Sequence, residues 1–92
     1  MINQSKNIKS LIINQEIAAV FRLKADKLNM TDKNKYRVIS LRKAASALEN
    51  LDRGVDEIYK HTWLPGLEKI EGIGNRLAHA IEAELRKRGI RK

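Results

Sequence analysis

Two glycines around an isoleucine, in Glu71-Gly72-Ile73-Gly74, interrupt an apolar pattern of helical spacing and constrain the rest of the chain. Before the interruption, Leu64, Leu67 and Ile70 recur three residues apart; after it, Leu77, Ile81 and Leu85 recur four apart. Each set falls on one face of a helix. The break between them is short enough to demand a tight reversal, which residues without a Cβ permit. Ile73 is placed to plug the gap between the two helices. The second helix is expected from Asn75 to about Lys87, with Gly89 as its natural stop.

Upstream, the pattern repeats without strands. Asn14 reads as an N-cap, and Ile17, Val20, Phe21, Lys24 or Ala25, and Leu28 follow at helical spacing, which predicts a helix from about Gln15 to Leu28. Thr31-Asp32-Lys33-Asn34 is a turn cluster with several possible caps. A second helix should run from Lys35 to Asn50, with an inward stripe of Tyr36, Val38, Leu41, Ala44, Ala45 and Leu48. The paired alanines allow another helix to approach closely. After Asp52-Arg53-Gly54, a short helix over Val55–Tyr59 is expected, then another capped by Thr62, with Pro65 in its first turn. Trp63 reads as a packing residue between them. The expected fold is all-α, a compact bundle of four to five short helices. The expected organisation is an N-terminal arm over residues 1–13 bearing Lys6 and Lys9, a domain over 14–89, and a basic tail over 90–92.

The glycine turn is also where the sequence offers chemistry. A helix beginning directly after it presents unpaired N–H groups and the positive end of its dipole to one spot. Together with close backbone approach at Gly72 and Gly74, that makes an anion site suited to a phosphodiester. Arg76, in the first turn, adds a charge-assisted contact. His79 shares its face, and Asn75 and Lys69 flank the turn. Five of the last seven residues are Arg or Lys. A dinucleotide-binding loop is excluded, because no strand precedes the glycines and Leu77 stands where its third glycine belongs; no Gly-Lys-Ser/Thr of a P-loop follows either.

Charge agrees with that reading. Nineteen Lys and Arg face eleven Asp and Glu, a net +8 over 92 residues, which points to a polyanionic partner. No run approaches the roughly 18 apolar residues of a membrane span, and no export signal is visible, so the expected place is the cytoplasm (nucleoid-associated) or the nucleus. With no cysteines there is no disulfide framework and no cysteine-ligated zinc. His61 and His79 stand apart without companion ligands and read as surface or structural histidines. Glu82 and Glu84 read as solubilising charge on the last helix.

Three motifs in order carry a resemblance: Asn14-Gln15-Glu16-Ile17-Ala18; Tyr36-Arg37-Val38 leading to Leu41-Arg42-Lys43-Ala44-Ala45; and Leu67 to Ala78. From Asn14 to about Gly89 the chain resembles the amino-terminal helix-hairpin-helix domain of family X DNA polymerases, a pattern shared with the amino-terminal domains of some structure-specific endonucleases. The resemblance implies that the hairpin holds the DNA backbone beside a gap or nick, with a Na+ or K+ ion at the carbonyls of Glu68, Ile70 and Ile73. It also implies that Tyr36 stacks on a template base and Arg37 contacts a 5′ phosphate, with Lys35 beside them. Tyr36 fits the apolar stripe of its own helix equally well, so both readings stand. Some members of that family are 5′-deoxyribose-phosphate lyases, acting through a lysine Schiff base. Here Ala80 stands at the lysine's position, Arg76 one turn before it, and Leu41 where lyases carry an aromatic.

The expected function is therefore a non-catalytic module that binds DNA through its backbone, with no required cofactor. Nucleotidyl transfer would need carboxylates that lie nowhere in this pattern. Two alternatives remain: a residual lyase, and a protein-interaction domain serving a polymerase or nuclease subunit. RNA stays open as a partner, since a backbone grip discriminates the sugar poorly.

Overall fold

The computed structural model describes residues 8–28 and 31–90, and its regular structure is entirely helical. Four helices follow one another: α1 (Ile8–Lys27), α2 (Lys35–Asn50), α3 (Val55–Glu68) and α4 (Asn75–Lys87). The bounds of α2 and α4 are those expected from the sequence. The all-α bundle is as expected. Lys6, Arg91 and Lys92 lie outside the described residues, as does the Lys9 side chain.

The start of α1 corrects the sequence reading. The helix begins at Ile8, not Gln15, so residues 8–13 of the expected arm are helical. Asn14 does not cap α1. It is 1% exposed inside the helix, where its amide donates to the Arg53 carbonyl at 2.8 Å and its Oδ1 accepts the Val55 N–H at 2.8 Å. The side chain thus satisfies the first N–H of α3, whose own N-cap, Gly54, has no side chain to offer. Freed from a local capping role, the residues before it continue the helix, and Ile13 packs against the core.

α1 and α2 pack antiparallel. Arg22 pairs with Glu49 at 2.7 Å and Asp26 with Arg42 at 2.9 Å, so a step forward along α1 is a step backward along α2. Ala18, Ala44 and Ala45 are fully buried, and their small side chains fit the close approach expected of the alanine pair. Phe21, Leu48, Tyr59, Ile81 and Leu85 fill the space between the two helix pairs.

α3 is two helical stretches bent at Trp63, which takes the left-handed φ of 57° with ψ −151°. Pro65 explains the bend: its ring lacks an N–H and would collide with the carbonyl of His61 in a straight helix. A non-glycine residue in that region costs on the order of 1–3 kcal/mol. Thr62 does not cap the second stretch. Its hydroxyl donates back to the Ile58 carbonyl at 2.6 Å. Trp63 is half exposed at this bend.

The two glutamates of α4 also differ from expectation, because neither is a solvated charge. Glu84 is buried and pairs with Arg88 at 3.0 Å and Lys87 at 3.4 Å, while Arg88 reaches Glu16 on α1 at 3.3 Å. Burial works to raise the Glu84 pKa, but hydrogen bonds from Arg88 and Lys87 outweigh it and hold the carboxyl below its usual range. Glu82 accepts from the buried Tyr59 hydroxyl at 2.5 Å and sits 3.8 Å from His79 and 3.5 Å from Arg86.

Two predictions concern these buried groups. Asn14→Ala leaves the Val55 N–H and Arg53 carbonyl without partners and should cost about 1–3 kcal/mol in a urea titration. Because folding lowers the Glu84 pKa, the stability it contributes is present above the unfolded carboxyl value of about 4.3 and lost as pH falls below it. The stability gap between wild type and Glu84→Gln should therefore be widest near neutrality and close in acid.

Candidate nucleic-acid interface

The turn between α3 and α4 is built as its residues suggest. The Ile73 N–H donates to the Ile70 carbonyl at 3.0 Å, and Gly72 takes φ +94°, which side-chain-bearing residues rarely adopt. Ile73 is 3% exposed and joins the core, plugging the space between the helices. Gly74 is extended and acts as N-cap of α4 without a side-chain bond; its carbonyl accepts the Ala78 N–H at 2.9 Å. The N–H groups of Asn75, Arg76 and Leu77 belong to the first turn, where a helix supplies no acceptors. Asn75 reaches across the hairpin to the Glu68 carboxylate at 2.7 Å.

The two glycines are not equivalent. A Cβ at Gly72 would lie 3.5 Å from the Ala47 Cβ and 3.8 Å from the Lys43 carbonyl, so the turn rests on α2. A Cβ at Gly74 would meet nothing within 4 Å. The backbone of the α4 N-terminus therefore faces open space.

That space is a groove of about 790 Å³ bounded by the end of α1, by α2, and by the hairpin with α4. Its cations come from all three: Lys24 and Lys27 from α1, Arg37 and Lys43 from α2, and Arg76 from α4. No Asp or Glu lines it. Leu28, Leu41, Leu77 and Ala80 form apolar wall, which is why Leu77 is only half buried. Tyr36 also lines the groove and is 76% exposed, which removes it from the core stripe.

The arginines divide sharply among the described residues. Arg22, Arg42, Arg86 and Arg88 are each engaged by a carboxylate. Arg37 and Arg76, both on the groove, have no such partner. A row of uncompensated cations around exposed backbone N–H groups can hold two or more phosphates, and an exposed aromatic beside them can stack on a base. The hairpin carbonyls named for a monovalent cation are chemically apt, being neutral oxygens. That of Glu68 lies in the last turn of α3, where in-helix partners run out, whereas that of Ile70 already accepts the Ile73 N–H.

The structure thus brings Gly72, Gly74, Asn75, Arg76, Tyr36 and Arg37 to one groove. It does not bring the other candidates there. His79 faces Glu82, Lys35 is exposed outside the lining, and Lys69 lies on the α3 flank. Lys24, Lys27 and Lys43 were missed from sequence. A signal existed in the spacing: Lys24 and Lys27 are three apart on α1, and Tyr36, Ser40 and Lys43 follow at i, i+4 and i+7 along one face of α2.

A family model described as a helix-hairpin-helix domain matches residues 12–89. No curated protein and no solved structure matches the chain.

The inequality of the two glycines yields a prediction. Gly74→Val, at an extended and open position, should melt within about 2 °C of wild type, whereas Gly72→Val should be destabilised by at least about 1–2 kcal/mol through its positive φ. Equal melting temperatures for the two variants would contradict the geometry of the turn.

Proposed function

This chain belongs to the helix-hairpin-helix domain family, and on that premise we propose that it is a non-catalytic module holding the DNA backbone at gapped, nicked or branched sites, as in repair. Domains of this family generally bind DNA without sequence specificity. The observation that carries the finer reading is the groove itself, where a helix N-terminus without a side-chain cap meets five cations from three helices and no carboxylate.

One phosphate sits at the N–H groups of the α4 first turn, with Arg76 adding a charge-assisted bond. Arg37, Lys24, Lys27 and Lys43 receive neighbouring phosphates. Tyr36 offers its ring to a base that has lost its pairing partner, a contact worth about 1–3 kcal/mol. Such a base is available at a gap or branch. None of these groups reads base edges, so sequence preference is weak. A Na+ or K+ ion bound by hairpin carbonyls would add positive charge beside the phosphate.

The resemblance to the amino-terminal domain of family X polymerases supports the repair setting, and with it a polymerase or nuclease as protein partner in a DNA-containing compartment. It does not extend to lyase chemistry. Ala80 lies in the groove wall where the attacking amine would stand, and its methyl group cannot form a Schiff base.

A fluorescence titration against nicked, gapped, duplex and single-stranded DNA tests this reading. Affinity for gapped duplex should fall steeply with salt, with a log–log slope of roughly 0.9 per phosphate neutralised. Arg37→Ala/Arg76→Ala should bind about tenfold or more weakly and with a shallower slope. A flat salt dependence would refute backbone binding. Borohydride treatment on a 5′-deoxyribose-phosphate substrate should trap no adduct, and a covalent complex would instead establish a lyase.

A further inference from the structure

A second, smaller hollow of about 250 Å³ lies on the α3 flank of the hairpin and shares no lining residue with the groove. Arg53, Ile58, Thr62, Gly66, Lys69 and Ile70 line it. The bend in α3 shapes its floor. The Thr62 hydroxyl is anchored to the Ile58 carbonyl at 2.6 Å, and both side chains close over Gly66. A Cβ at position 66 would collide with that hydroxyl and lie 3.3 Å from the Ile58 Cγ2. Ile58 and Ile70 pack against the core and present the rest of their aliphatic surface here. One wall starts from a fixed point, because the Arg53 carbonyl accepts the buried Asn14 amide at 2.8 Å.

The chemistry of this hollow differs from that of the groove. No aromatic ring and none of the α4 N–H groups line it, so base stacking and helix-terminus phosphate capture are both absent. What it offers is an aliphatic floor beneath two cations. Arg53 and Lys69 pair with no carboxylate among the described residues, and no acidic residue lines the hollow. Long cationic side chains lay apolar stems along such a floor and keep their charge at the rim. The complement is a peptide with one aliphatic side chain for the floor and carboxylates on either side of it for the rim.

We infer that this hollow docks an acidic linear segment of a partner protein through a single aliphatic anchor. Its small size makes the contact a weak, exchanging one. Because it is separate from the groove, the partner can be held while the other flank of the hairpin is occupied. The inference stands apart from the groove's ligand, since a peptide on one flank requires nothing of the other.

An NMR titration of the backbone amides tests it. The probe is the acetylated, amidated peptide Glu-Asp-Leu-Asp-Glu, with Glu-Asp-Ser-Asp-Glu and Gln-Asn-Leu-Asn-Gln as controls. The amides of Ile58, Thr62, Gly66 and Ile70 should shift saturably, and should do so equally with a gapped duplex present. Arg53→Gln/Lys69→Gln, with both side chains exposed and the Arg53 carbonyl untouched, should melt like wild type. It should bind the leucine peptide about tenfold more weakly, as should wild type the uncharged control. The serine peptide should bind at least about fivefold more weakly than the leucine peptide. Shifts confined to Gly74, Asn75 and Arg76, equal binding of the serine peptide, or no response of the hollow at about 10 mM peptide overturns the proposal. Displacement of the peptide from the hollow by a short oligothymidylate also overturns it and assigns the hollow to nucleic acid.

Discussion

The buried amide of Asn14 is the constraint on which the remaining arrangement depends. An amide at 1% exposure is tolerable only if its donor and acceptor are both used. Here they are used by the Arg53 carbonyl and the Val55 N–H, two groups at the entrance to α3. One side chain therefore fixes where α3 starts relative to the α1–α2 pair. From there Pro65 and the left-handed Trp63 bend the chain, Ile73 plugs the turn, and α4 is returned to the core through Ile81 and Leu85. The ion pair of Arg88 with Glu16 closes the circuit from the end of α4 back to α1.

Charge follows the same economy. The acidic residues of α1, α2 and α4 are largely spent on arginines away from the hairpin, through Glu49, Asp26, Glu82 and Glu84. Of the cations left without a carboxylate, Lys24, Lys27, Arg37, Lys43 and Arg76 gather at the groove beside the turn. A net charge of +8 spread evenly would attract any polyanion weakly. Collected in concave surface beside low-dielectric walls such as Leu41 and Leu77, it gives a focused field. On the proposed reading, that field guides a phosphate backbone toward the N–H groups at the start of α4.

Local signals made much of this legible. Asn34, Gly74 and Gly89 punctuate α2 and α4, and turn residues of that kind act through their own backbone, so those bounds could be read from the chain. Asn14 could not be read correctly. It looks like a cap because asparagine commonly is one, and the partners that claim it lie 39 and 41 residues away. Lys24, Lys27 and Lys43 were overlooked for a related reason. Which face of α1 and α2 looks toward the hairpin is decided by their packing, and no pattern within either helix states it. Glu82 and Glu84 likewise have the spacing of exposed charge, and only the approach of Tyr59 and Arg88 turns them inward. Tyr36 was undecided between two faces of α2, and the structure puts it outside the core.

The contact of Gly72 with Ala47 and Lys43 has a consequence beyond the shape of the turn. It seats the hairpin on α2, and four of the five cations of the groove come from α1 and α2. A peptide containing only the two hairpin helices would lack most of the binding surface along with the support beneath it. The surface is thus a property of the whole domain and vanishes when any helix detaches. Ligand occupancy and folding then become thermodynamically linked. On the proposed reading, a bound backbone stabilises all four helices together, by an amount that grows with the logarithm of DNA concentration above the dissociation constant.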